Sequence, residues 1–345
     1  AAVNSLLGKG GNFDVVSREA VAVTANASAD VSGFTSAGQI RAGGGLQGNE
    51  SDMLNSKSTV IEAGAEFVAD SEGGNAGRVI VWSDGDTTFS GSISARALGA
   101  IGNGGFMEVS GKDQLQYRGR VNASAVSGAN GTLLLDPTDV SIGPGAGVTI
   151  SDSALVEAIL TNNVVIHTSS AGSDVGNIVI DAGSDIQYDS PNSLAFFAHG
   201  NISVNGDIKN HGTSENTTVA ANGTTTGNIT LVAGWDGTGA ANFAFDPTAA
   251  TGIPSSTNPV ITAADVLAGT YGAWGQNGGS VLLNDAALEP VEVGSARGET
   301  NAFGDQVRVT SGNGQGEFTQ LGYRRENDVR GRARIAGGTI RTGLD

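Results

Sequence analysis

Three stretches, read against one another, decide the fold: Asn75-Ala-Gly-Arg-Val-Ile-Val-Trp82, Asn103-Gly-Gly-Phe-Met-Glu-Val109 and Asn130-Gly-Thr-Leu-Leu-Leu135. Each opens on asparagine and runs into apolar residues, and the asparagines stand 28 and then 27 residues apart. A second mark keeps the same period. Phe89-Ser-Gly-Ser-Ile93 returns as Tyr117-Arg-Gly-Arg-Val121, with Gly91 and Gly119 again 28 apart. Two marks within one period point to a repeat architecture.

Each period reads as three short strands, in the first case Val79 to Trp82, Thr87 to Ser90 and Ser92 to Ala95, parted by Ser-Asp-Gly-Asp and by Gly91. Phe89, Ile93 and Ala95 alternate with polar residues, as do Leu115, Tyr117, Val121 and Ala123, which is the period of a half-buried strand. Val and Ile suit a pleated surface, while Gly and Asn tolerate the left-handed backbone of tight corners. Three strands and three corners in 20–30 residues predict an all-β chain folded as a parallel β-helix, a single solenoid over residues 1–345. Val79, Phe106 and Leu134, or their alternating neighbours, are expected to stack in its core. Further along, Gly176-Asn177-Ile178, Gly200-Asn201-Ile202 and Gly227-Asn228-Ile229 form a second family, and Gly279-Ser280-Val281 opens a similar run.

Two pieces depart from the pattern. Residues 151–163 read as a short lateral helix, with Ser153 as N-cap and Leu155, Ala158 and Ile159 on one face. Residues 235–276, punctuated by Asp246-Pro247, Ile253-Pro254 and Asn258-Pro259, read as a loop-rich insertion.

Composition agrees with a thin core of small side chains. Glycine supplies 54 residues without a strict period, aromatics are 5% and charged residues 15%. The 35 acidic residues outnumber 18 Lys and Arg, for a net charge of −17. Nucleic acid and anionic membranes call for the opposite sign, so nucleic acid is not expected as a partner. The lack of cysteine suits a protein threaded unfolded through an outer membrane, where early disulfides would obstruct passage. Ala1-Ala2-Val3 opens without a charged or apolar leader, so a secreted form is expected to be trimmed here or to be a slice of a longer chain.

The run from Asn75 to Ile142, with Gly-Arg-Val-Ile-Val-Trp-Ser-Asp-Gly-Asp-Thr-Thr-Phe-Ser-Gly-Ser-Ile, then Gly-Asn-Gly-Gly-Phe-Met-Glu-Val-Ser-Gly-Lys, then Gly-Thr-Leu-Leu-Leu-Asp-Pro-Thr-Asp-Val-Ser-Ile, resembles large exoproteins of the filamentous-haemagglutinin type. Val164-Val-Ile-His-Thr168, Asp174-Val-Gly-Asn-Ile-Val-Ile180 and Asn201-Ile-Ser-Val-Asn205 extend the resemblance, which covers roughly residues 75–232. It implies a right-handed β-helix, export by two-partner secretion through an outer-membrane transporter, and a non-catalytic life as a cell-surface adhesin or extracellular filament. Members of the family differ widely in ligand, so the resemblance carries a fold and a location further than a target; a surface glycan or host receptor is an expected partner. The family's secretion domain is not placed in residues 1–70.

Motifs for chemistry are few. Gly43-Gly-Gly-Leu-Gln-Gly48 has the spacing of a dinucleotide fingerprint, but Asn49-Glu-Ser-Asp52 follows it rather than a helix, and in so glycine-rich a chain the match is chance. His167, His199 and His211 fall in no zinc-binding pattern, although His167 and His199 share a face if their strands stack. Asp84-Gly-Asp86 is the nearest fragment to a calcium nonapeptide, does not repeat, and is accounted for by an Asp-Gly turn. No cofactor is expected.

The enzymatic alternative is a β-helix polysaccharide lyase or hydrolase, with Asp181 and Asp185 on adjacent corners as candidate carboxylates. Against it stand the solitary placement of acidic residues in Gly/Asn/Ser corners and the scarcity of tryptophan, found only at 82, 235 and 274. The one basic cluster, Arg324, Arg325, Arg330, Arg332 and Arg334, reads as a glycan contact, as an end-to-end joint between subunits, or as a solvated turn.

Overall fold

The computed structural model describes residues 1–169, 176–200 and 202–210, together with the strands Ile229–Ala233, Val281–Asn284, Gln306–Thr310, Glu317–Leu321, Ala333–Ala336 and Ile340–Thr342. The regular elements among the described residues are mostly short strands in parallel sheets. One α-helix and one 3-10 turn, Leu46–Gly48, interrupt them. The residues 235–276 expected as an insertion lie outside the described residues. The chain divides into two compact units, one built on Ala1–Pro137 with Thr161–Val165, the other on Thr138–Leu160 and the described residues from Ile166 onward.

In the first unit three parallel sheets grow together. Sheet A runs Asn12–Val15, Gln39–Ala42, Arg78–Val81, Phe106–Val109 and Thr132–Leu135. Sheet B runs Ala20–Val23, Ser58–Ile61, Asp86–Phe89 and Gln114–Tyr117. Sheet C runs Ser28–Asp30, Glu66–Val68, Ser92–Ser94 and Arg120–Asn122. Each sheet therefore gains one strand per sequence repeat. Tyr117 sits on Phe89 and Val121 on Ile93, as their shared period requires, and the two rings stack with centroids 5.6 Å apart.

The repeating asparagines have a physical role. The Asn75 side-chain carbonyl accepts the backbone N–H of Asn103 at 2.7 Å, across 28 residues, and that of Asn103 accepts the N–H of Ala129 at 3.0 Å, across 26. Each side chain thus satisfies a corner donor that has no ladder partner. The glycines beside them are there for space. A Cβ on Gly105 would lie 2.2 Å from the Gly77 carbonyl oxygen, and one on Gly131 would lie 1.9 Å from that of Gly105.

Sheet A decides between the expected core registers in favour of the neighbours of Phe106 and Leu134. Val79 is in line with Ile40, Met107 and Leu133, whereas Phe106 aligns with Arg78 and Thr132, and Leu134 with Glu108. Because successive side chains alternate, Phe106 and Leu134 stand on the face opposite Val79. Both faces of these strands are nevertheless buried, so the alternation that would have revealed the register is absent from the sequence.

The second unit has the same character. Val140–Gly143 pairs in parallel with Ile150–Ser151 and with Ile178–Ile180, followed by Ile202–Val204, Val281–Asn284 and Ala333–Ala336. Ile178, Ile202 and Val281 share one stack, but Ile229 pairs with Leu194 in a different sheet. The Gly-Asn-Ile motif therefore marks the entry to a strand, not the strand's place in the repeat. Gln306–Thr310 is antiparallel to Glu317–Leu321. The helix spans Asp152–Ile159, buries Ala154, Leu155, Ala158 and Ile159, and packs on Asp185–Tyr188. Its N-cap position is Ser151 rather than Ser153, which lies inside the first turn. At the other end, the Ile159 carbonyl accepts hydrogen bonds from Ser190 Oγ (2.9 Å) and Asn192 Nδ2 (2.8 Å).

Candidate functional site

The segment Gly43–Ser56 lies against the outward face of sheet A at Arg41, Arg78 and Glu108, and its ends are joined by the Ser56 N–H donating to the Gly43 carbonyl at 2.6 Å. This is where the glycine-rich run Gly43–Gly48 finds its purpose. Gly43 and Gly48 have φ of +85° and +65°, and a Cβ on Gly44 or Gly48 would strike the Trp82 ring at 2.5 or 2.8 Å. The backbone lies flat on the indole, and only glycine permits that approach. The Trp82 Nε1–H donates to Asp84 Oδ1 at 3.1 Å, and Asn55 Nδ2 donates to the same oxygen at 3.0 Å and to the Gly48 carbonyl at 2.9 Å. Asp84 thereby pins the segment to the strand end.

Beneath it lies a chain of charges. Arg41 holds Asp14 through Nε and Nη2, both at 2.9 Å, and Asp52 through Nη1 at 3.0 Å. Glu50 bridges two guanidinium groups, accepting from Arg41 Nη1 at 3.0 Å and from Arg78 Nη2. The hydrogen bond to Asp14 leads the forces that hold the Arg41 charge more firmly than usual, and Arg41 in turn lowers the pKa of Asp52.

Glu108 is different. It is fully buried, and its carboxylate accepts the Gln47 backbone N–H at 3.0 and 3.3 Å, while Gln47 Nε2 donates to Asp136 Oδ2 at 3.2 Å. Burial pushes its pKa up to about 8, with the Asp136 charge adding to the rise while Gln47 N–H, Ser110 and Arg78 oppose it. Glu108 can thus carry a proton at neutral pH under a clasped covering segment.

A second feature lies at the corners that follow sheet C. Ser5, Gly33, Ser71, Ala97 and Ala125 form successive parallel bridges. The residues after them stack likewise: the N–H groups of Phe34, Glu72, Leu98 and Val126 donate to the carbonyls of Ser5, Gly33, Ser71 and Ala97 at 2.7–3.3 Å. Leu6, Phe34, Glu72, Leu98 and Val126 therefore make one ladder, and its large apolar members face solvent, with Leu6 88%, Phe34 45%, Leu98 41% and Val126 68% exposed. Between them opens a depression of about 180 Å³ lined by Leu6, Phe34, Glu72 and Leu98. On its floor Asp70 is already engaged, held by Arg96 Nη2 at 2.7 Å and Ser94 Oγ at 2.6 Å. Nearby, burial raises the pKa of Asp30, but hydrogen bonds from Ser32 and Asn4 outweigh it and leave the carboxyl more acidic than usual.

The residues singled out from the sequence are dispersed. His167 is buried at the end of Asn163–His167, His199 follows Leu194–Ala198 with its backbone N–H on Thr168 Oγ1 at 3.0 Å, and His211 lies outside the described residues. No group of three or more His, Asp or Glu suited to a metal occurs among the described residues. Asp181 and Asp185 sit at the two ends of one turn, not on adjacent corners. Arg324, Arg325, Arg330 and Arg332 lie outside the described residues, and Arg334 is placed only as a strand position in register with Leu282.

Sequence reading missed both the covered charges and the exposed ladder. Signals existed: a glutamate inside the apolar run Phe106–Val109, and a large apolar residue directly after the corner at Gly33-Phe34, Ala97-Leu98 and Ala125-Val126. Compared with known protein families and with curated proteins, the chain finds no match.

Proposed function

We propose that the chain winds as a right-handed parallel β-helix and serves, without catalysis, as an extracellular bacterial surface protein, an adhesin or filament component of the filamentous-haemagglutinin type exported by a two-partner-secretion transporter. The observation that carries this reading is the joint growth of sheets A, B and C, each adding one parallel strand per repeat in unbroken register. A stack of this kind is stabilised by nearest-neighbour contacts and can be lengthened by adding repeats, which suits display at a distance from a membrane. The net charge of −17 keeps such chains apart side by side. End-to-end association through Arg324, Arg325, Arg330, Arg332 and Arg334, and binding of a glycan or host receptor, belong to the same proposal.

The test is location together with chemistry. Cells producing the protein with its transporter are labelled with antibody before and after permeabilisation, and the purified protein is offered a polysaccharide panel. Surface labelling of intact cells without sugar release is expected. Labelling only after permeabilisation overturns the location, and carboxylate-dependent product release, as a lyase or hydrolase would give, overturns the absence of catalysis.

A further inference from the structure

We infer that the ladder Leu6–Phe34–Glu72–Leu98–Val126 is a docking surface for an amphipathic helix whose apolar stripe carries a lysine or arginine at its centre. Solvent-facing apolar residues scattered singly need no explanation, but an aligned set does. Here the register is fixed by the backbone bonds between successive corners, so the side chains stand in line rather than by accident of a loop.

Spacing chooses the occupant. Neighbouring strands lie about 4.8 Å apart, so the ladder spans roughly 19 Å in four steps. One face of a helix presents a side chain every 3.5 residues, or about 5.2 Å, and drifts only about 2 Å from the ladder over that span. Side chains on one face of an extended strand repeat every ~6.8 Å and drift about 8 Å. A helix laid along the ladder keeps its contacts in step, and a strand does not.

Charge chooses the stripe. Glu72 is exposed at the middle position, flanked by apolar residues, while the Asp70 carboxylate beside it is neutralised by Arg96. A helix with an acidic or purely apolar stripe would meet repulsion there or strand the carboxylate. A central cation reaches Glu72 with its aliphatic stem over Phe34 or Leu98. A second copy of this chain would bring Glu72 against Glu72 in a two-fold arrangement, on top of the mutual repulsion of two chains of charge −17. This inference stands on the corners of the first unit and does not depend on export. If it fails, the proposed fold and location stand, and if the proposed location fails, the inference stands.

The test uses the full chain and two labelled helical peptides of about 18 residues, alike except for Lys or Glu at the centre of a leucine stripe, followed by fluorescence anisotropy. The Lys peptide is expected to bind saturably and the Glu peptide at least about tenfold more weakly. Glu72→Lys, a change at an exposed position, should reverse that preference. Phe34→Ser and Leu98→Ser should each weaken the Lys peptide at least about tenfold with an unaltered circular dichroism spectrum. No saturation, equal affinity for both peptides, or a preference that survives Glu72→Lys overturns the inference. So does tighter binding of a strand-forming peptide or of phospholipid vesicles, or self-association abolished by Phe34→Ser. If an apolar variant fails to fold, the reversal at Glu72 decides alone.

Discussion

Glu108→Gln is expected to make the protein more stable at pH 7 than the unaltered chain, by a margin that widens with pH. The buried carboxyl of Glu108 has its pKa pushed up to about 8 in the folded state, from 4.5 when unperturbed. A group shifted in this direction favours folding fully below pH 4.5, where both states hold the proton. The advantage fades as pH rises and is gone above about 8, where the folded state too must carry the charge. Between these limits the linked loss is about 5 kcal/mol, of which about 3 kcal/mol has accrued by pH 7. Asp52 and Asp30 act in the opposite sense, because their lowered pKa values withdraw stability only as pH falls below about 4. The unaltered chain should therefore be most stable near pH 4–5. Glutamine keeps the shape of the side chain and an oxygen for the Gln47 N–H but has no proton to lose. Urea denaturation at intervals from pH 4.5 to 8.5 measures the difference. Parallel pH profiles for the two proteins would show that Glu108 is ionised throughout, its charge offset by Arg78, and would refute the reasoning.

Two further outcomes follow from packing. Glu50→Gln removes the shared counter-charge of Arg41 and Arg78, whose side chains are 10% and 9% exposed, and should cost about 3 kcal/mol in urea. Adding Arg78→Met, which removes the stranded cation, should recover most of it. Gly105→Ala forces a Cβ to 2.2 Å from a carbonyl oxygen, whereas one on Gly147 would meet nothing within 4 Å. Thermal melts should show Gly105→Ala strongly destabilised and Gly147→Ala within experimental error of the parent.

How far the sequence could be read depended on how many faces of a strand are buried. Sheets B and C bury one face, so Phe89, Tyr117, Ile93 and Val121 alternate with polar residues and their register was legible. Sheet A buries both faces. Its strands read as unbroken apolar runs, for which a shift of one residue changes nothing in the pattern, so the sequence leaves Phe106 and its neighbour Met107 equally eligible to align with Val79, and the structure aligns Met107. The asparagine ladder was visible as a period, although its hydrogen bonds were not. In Gly43–Gly48 the glycines match a nucleotide motif only by spacing. Their actual constraint, contact with Trp82, is between residues far apart in the chain and leaves no local mark.

The two unusual surfaces of the first unit are better understood together than apart. Outward of sheet A, Phe106, Ile80 and Leu134 are buried, and on the same face the chain lays an insertion over Arg41, Arg78 and Glu108. Corresponding positions in the strands Gln39–Ala42 and Arg78–Val81 lie 39 residues apart where the next repeat needs 28. That insertion brings its own glycines for close approach and its own Glu50 to pair the arginines beneath it. At the corners after sheet C, no described segment does the same for Leu6, Phe34, Leu98 and Val126. An apolar face that is covered contributes to stability through burial, at about 25 cal/mol per Å². One held in register and left facing water contributes nothing of the kind until something binds it. The contrast within one unit, where the same repeats build both faces, is the physical ground for assigning the covered face to stability and the corner ladder to recognition.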